Sequence, residues 1–239
     1  MLYLFCALCI AAGSFLQTVT GLGLAILVMA TLPFMLPLEV ALTVSSILSA
    51  VHNLLLLLTT PKRFSLRTIL IPVLTCFVVS AIVVRVVMFQ FPPMMIRILG
   101  AFMILLSLYF LFLQKEIRFP ASTKGALIAG SISGVMGALF SINGPPLVLY
   151  YLATAKSDEE YLANMRLSFF FICIYTLGLR VWSGYVTPMA IQYSLIGLAA
   201  MFIGLQLGKK LSDKIRGETL RKAVYGTMIL CGVIYLIQG

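Results

Sequence analysis

Apolar runs fill most of the 239-residue chain, and ten of them can be marked from the spacing of polar residues. Their bounds are roughly 2–18, 22–36, 40–58, 67–89, 94–113, 122–140, 145–155, 163–182, 187–208 and 219–238. Most of these runs have the length of about 20 residues that a helix needs to cross a bilayer, and they do not resemble the shorter alternating strands of a barrel. The pattern predicts an all-α polytopic membrane protein, in which the seventh run is too short to cross.

Composition agrees with this class, because 62% of the residues are hydrophobic and 10% are charged, against about 25% charged residues in soluble domains. The first run lacks a basic leader, so we interpret it as a retained segment and not as a signal peptide. The formal net charge of +10 does not indicate nucleic-acid binding, because the basic residues occur in short loops. No cofactor or metal site is expected, since the five cysteines lie in apolar runs and have no cluster of histidines or acids,.

The distribution of basic residues predicts the orientation, because basic loops stay in the cytoplasm. This assigns three loops to the cytoplasm and both termini to the outside; the loops contain Lys62, Arg63 and Arg67, then Lys115, Arg118 and Lys124, then Lys209, Lys210, Lys214, Arg216, Arg221 and Lys222.

Helix-breaking residues interrupt the sixth and seventh runs at Asn143-Gly144-Pro145-Pro146. In hydrocarbon, a break in a helix is tolerated only where protein surrounds it or where it lines a cavity. Proline fits the first turn of a helix, so we expect one helix to end near Phe140 and a short one to start at Pro145. A matching segment in the first half, Gln17–Gly23, has glycines as breakers beside small polar residues.

The two halves show a faint repeat at an offset of 121 residues: Gly13 matches Gly134, Thr20 matches Ser141, Gly23 matches Gly144, Glu39 matches Glu160 and Thr43 matches Asn164. Each half then contains an odd number of crossings, which predicts two inverted-topology repeats. Each repeat is expected to carry a re-entrant or discontinuous helix near the membrane midplane. We place the first repeat at 1–113, a cytoplasmic linker at 114–124 and the second repeat at 125–239.

Paired breaks at corresponding positions are the best sequence indication of a transporter's binding site, and helix N-termini suit anions. The sequence therefore predicts that two helix N-termini converge on an anion near the midplane, although a pair of ordinary kinks would give the same pattern. The substrate-binding candidates in the breaks are Gln17, Thr20, Gly21, Gly23, Ser141, Asn143, Gly144 and Pro145.

Other polar residues in the apolar runs are further candidates. His52 and Asn53 lie in the third run and either bind substrate or join helices. Arg166 either attracts an anion at the cytoplasmic end of the eighth run or pairs with a neighbouring glutamate. Arg85 and Arg180 are predicted to extend toward water at the outer ends of their runs. All seven acidic residues lie in loops or at the ends of runs, which disfavours a cation pump.

The fragment "GPPLVLYYLATAKSDEEYLANMRLSFFF" and the Gly-rich first segment resemble the TauE/SafE family of membrane transporters, although this chain has Thr-Gly-Leu-Gly where the family has a longer glycine run. The resemblance covers the whole chain. It implies a carrier in the bacterial cytoplasmic membrane that moves small organic or sulfur-containing anions such as sulfite, sulfoacetate or related sulfonates. We expect export by alternating access. The alternatives are a passive anion channel and, with less support, a membrane-embedded enzyme. A coupling ion, H⁺ or Na⁺, and a homodimer remain open.

Overall fold

The computed structural model describes residues 2–60, 63–87, 94–113, 120–211 and 217–238. These residues form helices and short connections, and no strand occurs among them. The helices are α1 Leu2–Thr20, α2 Leu24–Thr31, α3 Leu38–Leu57, α4 Leu66–Val87, α5 Met95–Leu108, α6 Thr123–Phe140, α7 Gly144–Thr154, α8 Asp158–Trp182, α9 Pro188–Leu211 and α10 Gly217–Gln238. A short 3-10 turn, Leu32–Phe34, follows α2, and a π turn, Tyr109–Leu113, follows α5. The all-helical prediction is confirmed.

Seven of the described helices are long and apolar enough to cross a bilayer, namely α1, α3, α4, α5 with its π turn, α6, α8 and α9. Their candidate spans contain 18 to 25 residues, and about 20 are required. The prediction of a multi-pass membrane protein is therefore confirmed. The helices that follow the two breaks are shorter, with 8 residues in α2 and 11 in α7.

Several sequence predictions fall outside the described residues. These are most of the linker (114–119), part of one predicted outer loop (91–93) and the basic residues Lys62, Lys115, Arg118, Lys214 and Arg216. The location of both termini on the outer side of the membrane stays a prediction.

The helices cluster into two compact units, each built from separate stretches of chain. Unit 1 comprises Met1–Ser45, Gln90–Ile117 and Val186–Gly239, and unit 2 comprises Ser46–Phe89 and Arg118–Tyr185. Unit 1 therefore contains α1, α2, α5, α9 and α10, while unit 2 contains α4, α6, α7 and α8; α3 contributes to both. Each unit takes segments from both halves of the sequence. The division into sequence repeats is a different partition and stays a prediction.

Small residues allow the helices of unit 1 to pack closely. Ser14 Oγ on α1 donates a hydrogen bond to the carbonyl oxygen of Met201 on α9 over 2.6 Å. A Cβ added to Gly204 would lie 3.0 Å from Ser14 Cβ and closer still to a carbonyl oxygen of α1. Small residues at such contacts are the usual means of joining helices in lipid, where no hydrophobic force drives helices together.

In unit 2, small residues allow α4 and α6 to pack closely in the same way. Ser80 Oγ on α4 donates to the carbonyl oxygen of Gly134 on α6 over 3.1 Å. A Cβ added to Gly130 would lie 2.9 Å from Thr75 Cβ and closer still to the carbonyl oxygen of Pro72. The α4–α6 contact therefore depends on the absence of a side chain at Gly130.

We predict that Gly130→Ala lowers the stability of the protein by about 1–3 kcal/mol, because the new methyl group overpacks the contact with α4. The matched control is Gly178→Ala, where an added Cβ meets nothing within 4 Å and where removal of a helical glycine stabilises by about 0.5–1 kcal/mol. Melting temperatures of the detergent-purified variants measure both changes. Equal melting temperatures for the two variants would contradict the proposed close contact.

Candidate functional site

The first predicted site segment, Gln17–Gly23, lies in unit 1 and satisfies many of its own polar groups. Gln17 is buried, and its Oε1 accepts a hydrogen bond of 3.2 Å from the backbone N–H of Leu24, at the start of α2. Thr20 Oγ1 lies 2.6 Å from the carbonyl oxygen of Leu22. Gln17 thus stabilises the N-terminus of α2 with its own side-chain oxygen, and its predicted contact with a ligand stays a prediction.

Glycine is required in this segment by the backbone conformation. Gly21 has φ 81° and Gly23 has φ 154°, both in a region that residues with a side chain rarely adopt,. A Cβ at Gly23 would also lie 2.9 Å from Leu16 Cβ. These two glycines let the chain leave α1 and enter α2 within three residues.

The second predicted segment lies in unit 2, where α6 ends at Phe140 and α7 begins at Gly144. Ser141 caps the end of α6 with φ 58° and ψ 16°, and it is the one non-glycine residue with positive φ in the described part of the chain. A left-handed conformation costs a residue with a side chain roughly 1–2 kcal/mol. Strain of this kind persists where the surroundings hold it in place, often at functional sites.

The N-terminus of α7 offers fewer donors than helix N-termini generally do. Pro145 and Pro146 occupy its first turn and have no N–H, so they cannot bind an anion through the backbone,. Asn143, at the N-cap position, is buried and makes no side-chain capping bond; its Oδ1 has no hydrogen-bond partner among the described residues. The positive end of α7 therefore needs help from a side chain to hold a charged ligand.

That side chain is Arg180, near the end of α8. Arg180 is 1% exposed. Its Nη2 lies 3.2 Å from the carbonyl oxygen of Ala138 and 3.1 Å from Ser141 Oγ, and donates to both. Its Nε and Nη1 have no partner within the described ranges. Ser141 Oγ in turn lies 3.1 Å from Ser46 Oγ on α3, so a polar chain links three helices of unit 2.

The broken helix explains why a cation is tolerated in this place. The last carbonyl groups of a helix have no intrahelical partner and carry a partial negative charge, which favours a cation. Ala138 belongs to the last turn of α6, and its carbonyl oxygen accepts from Arg180. The break after Phe140 therefore supplies an acceptor for the guanidinium in addition to starting α7.

No buried acid neutralises this charge within the described part of the protein. The acidic side chains described are Glu39, Asp158, Glu159 and Glu160, and none of them is buried. The sequence contains no acidic residue from 161 to 212. Charges buried without a partner are costly, so an anion bound beside Arg180 would be strongly favoured.

The prediction that Arg180 extends to water is wrong. Arg180 lies on the buried face of α8 with Phe169, Cys173 and Thr176, which precede it at intervals of four, three and four residues. That spacing is the mark of one helix face, and it was visible in the sequence. Proximity to the end of the apolar run was the wrong criterion, because α8 turns this face toward the protein.

His52 and Asn53 lie on the buried part of α3, in unit 2. Asn53 Nδ2 donates to the carbonyl oxygen of Ser49 over 2.8 Å and lies 3.8 Å from Cys173 Sγ. Asn53 follows Ser46 by seven residues, which places it about 10 Å farther along the helix. These contacts favour a role of Asn53 in joining α3 to α8, and a binding role for either residue stays a prediction.

Arg166 is not brought to the Ser141 group. It precedes Arg180 by fourteen residues on α8, a separation of about 21 Å along the helix. Its Nη1 donates to Thr60 Oγ1 over 2.6 Å, while Glu159 pairs with Arg63 at 3.0 Å. Arg166 thus clasps the connection between α3 and α4 through a threonine and not through a glutamate, and its predicted attraction for an anion stays untested.

Comparison with known proteins identifies a family of transporters. The family model described as sulfite exporter TauE/SafE matches residues 5–235. A curated relative from Cupriavidus necator, described as "Probable sulfite/organosulfonate exporter TauE", is 20% identical over 233 residues, which cover 95% of this chain and 91% of the relative. No solved structure gives a significant match. Because the family match spans nearly the whole chain, this protein belongs to the sulfite exporter TauE/SafE family and is a membrane transporter, not an enzyme.

Proposed function

We propose that this transporter exports small organic or sulfur-containing anions, such as sulfite, sulfoacetate and related sulfonates, across the bacterial cytoplasmic membrane by alternating access. The observation that carries the proposal is the buried guanidinium of Arg180, two of whose nitrogen atoms lack a partner in the described structure. A charge in this position requires a counter-charge. The transported anion supplies it.

The donors at this site suit an oxyanion. A guanidinium directs several N–H groups in one plane and binds two oxygen atoms of the same anion well. In Arg180, Nη2 is held by Ala138 and Ser141, which fixes the plane, while Nε and Nη1, which point to different edges of that plane, each remain for one oxygen atom of a ligand. Asn143 contributes a side-chain amide, and a flip of that amide exchanges an acceptor for a donor without changing its shape.

Burial of Arg180 favours a carrier over a channel. An open pore would keep its ion-binding groups in contact with water, whereas Arg180 is 1% exposed. An occluded charge must be uncovered first to one side and then to the other. Alternating access provides this change.

The charge of the substrate favours export. An inside-negative membrane potential contributes about 2.3 kcal/mol per charge per 100 mV toward the outside. An exported anion therefore needs no coupled H⁺ or Na⁺. The description of the relative as an exporter supports the same direction.

The inverted repeat remains part of the proposal, and two observations support it. With the offset of 121 residues, α1 to α5 correspond in order to α6 to α10, and each pair of helices begins within about two residues of the expected position. In addition, Ser80 corresponds to Met201 at this offset. Ser80 bonds to Gly134 on α6, and Met201 bonds to Ser14 on α1, whose equivalent in the second half is the residue next to Gly134. Two such repeats would permit the exchange of conformations that alternating access needs.

We predict that Arg180→Gln abolishes anion flux in liposomes without lowering the melting temperature. The shorter glutamine loses the hydrogen bond to Ala138, but it also removes a buried charge whose desolvation costs several kcal/mol, so we expect the two effects to offset each other. Wild-type protein should also be stabilised by about 2.7 kcal/mol at an anion concentration 100 times its Kd. The variant should lose that shift.

The matched control for Arg180→Gln is Arg97→Gln, which removes an exposed arginine from α5 and should leave flux unchanged. Arg180→Lys keeps the charge but loses the planar donor set, so we expect partial flux. Full flux in Arg180→Gln would exclude this residue as the anion ligand. A lowered melting temperature would show that the arginine is structural.

We predict that sulfite flux saturates with concentration and accelerates when the opposite side of the liposome also contains sulfite. A carrier must return its site before the next cycle, and a bound anion on the far side accelerates that return. The measurement is radiolabelled sulfite exchange between vesicle and bath. Flux that rises without saturation and ignores the far side would instead support an anion channel.

A further inference from the structure

A cavity of about 310 Å³ lies in unit 2, where the ends of α4 and α8 meet. Its apolar wall comes from Ala81 and Val84 on α4 and from Leu179 on α8. Its remaining lining includes Arg85, Trp182 and Tyr185. The volume is at the lower end of the range of small-molecule sites, which starts at about 300 Å³. None of the residues predicted from the sequence as substrate ligands lines this cavity.

The lining combines one cation with apolar and aromatic surface. The guanidinium of Arg85 is the only formal charge among the lining residues, and no acidic residue contributes to the wall. Trp182 offers a large ring that is 87% exposed, and Val84 beside it is 6% exposed. A ligand that satisfies this set has one negatively charged group and a small apolar body.

We propose that this cavity binds small organic anions, with the sulfonate or carboxylate group on Arg85 and the carbon body against Trp182. As a subsite that receives or releases substrate, it rests on the proposed function. It lies next to the buried site along the chain: Leu179 precedes Arg180, and the backbone N–H of Tyr185 donates to the carbonyl oxygen of Arg180 over 3.0 Å.

The cavity divides the substrates into two classes. Sulfite has no carbon body and gains nothing from the apolar wall, so it depends on Arg180 alone. An alkyl sulfonate buries its carbon atoms, and each CH₂ removed from water stabilises binding by about 0.8 kcal/mol. The cavity is therefore a selectivity element for organic sulfonates over inorganic sulfite.

Trp182 makes the cavity directly observable, because it is the only tryptophan in the chain. We would titrate detergent-purified protein with butanesulfonate and follow tryptophan fluorescence. We expect a saturable change for butanesulfonate and none for sulfite or for the uncharged butanesulfonamide. In Arg85→Gln the apparent Kd should rise at least tenfold, whereas in Arg97→Gln it should equal that of wild type.

The same titration separates this inference from the proposed function. Arg180→Gln should retain the fluorescence response while losing sulfite flux. A response to butanesulfonate in a wild-type protein that transports neither sulfite nor an organic sulfonate would support the cavity and overturn the proposed function. Sulfite flux that depends on Arg180, with no response of Trp182 to butanesulfonate, would overturn the cavity alone.

A lipid headgroup is the competing source of an anionic group, because arginine and tryptophan are also common at membrane interfaces. Dihexanoylphosphatidylglycerol, titrated in the same way, tests it. A saturable response to this lipid in place of butanesulfonate would assign the cavity to phospholipid and overturn the proposal.

Discussion

In the described part of unit 2, the guanidinium of Arg180 is buried without an acidic partner, and the contacts around the break between α6 and α7 depend on this charge. Removal of an ion from water costs several kcal/mol even after the protein relaxes, and Arg180 is 1% exposed. The fold offsets part of this cost with neutral dipoles, namely the carbonyl group of Ala138 and the hydroxyl group of Ser141. Both are available only because α6 ends at Phe140 and the chain turns through a left-handed residue. The helix break thus supplies the acceptors that hold the buried cation.

The equivalent segment of the first half satisfies its polar groups in a different way. The two halves therefore differ in the chemistry of the break, although the order of their helices is similar. At the offset of 121 residues, Gln17 corresponds to Ala138, and Thr59 corresponds to Arg180. Gln17 Oε1 accepts a hydrogen bond from the backbone N–H of Leu24, across the break between α1 and α2. Thr59 is exposed, just after the end of α3. No second buried arginine accompanies the first segment among the described residues. The buried positive charge of the described structure therefore lies in unit 2.

Local features of the sequence were sufficient to predict the helices, the positions where α6 ends and α7 begins, and the polar residues beside the break. These depend on apolar run length, proline and glycine, which act within a few residues. The burial of Arg180 was missed because it depends on which face α8 turns toward α6, a contact between residues about forty positions apart. The assembly of each unit from segments of both halves was missed for the same reason. The hydrogen bond from Leu24 to Gln17 was missed because a side chain suited to a ligand is equally suited to a backbone N–H, and the binding role of Gln17 stays a prediction.

The use of dipoles in place of a carboxylate has a consequence for the transport cycle. A carboxylate would neutralise Arg180 permanently and compete with the substrate, whereas carbonyl and hydroxyl groups leave a net positive charge that a monoanion cancels. In the proposed mechanism, the loaded site is then neutral and the empty site is positive. An inside-negative potential acts on a positive site at about 2.3 kcal/mol per 100 mV for a full crossing, and it draws the empty site toward the cytoplasm. In an exporter built on this arginine, the potential therefore drives the return of the empty carrier, and the loaded carrier moves outward without opposition from the field.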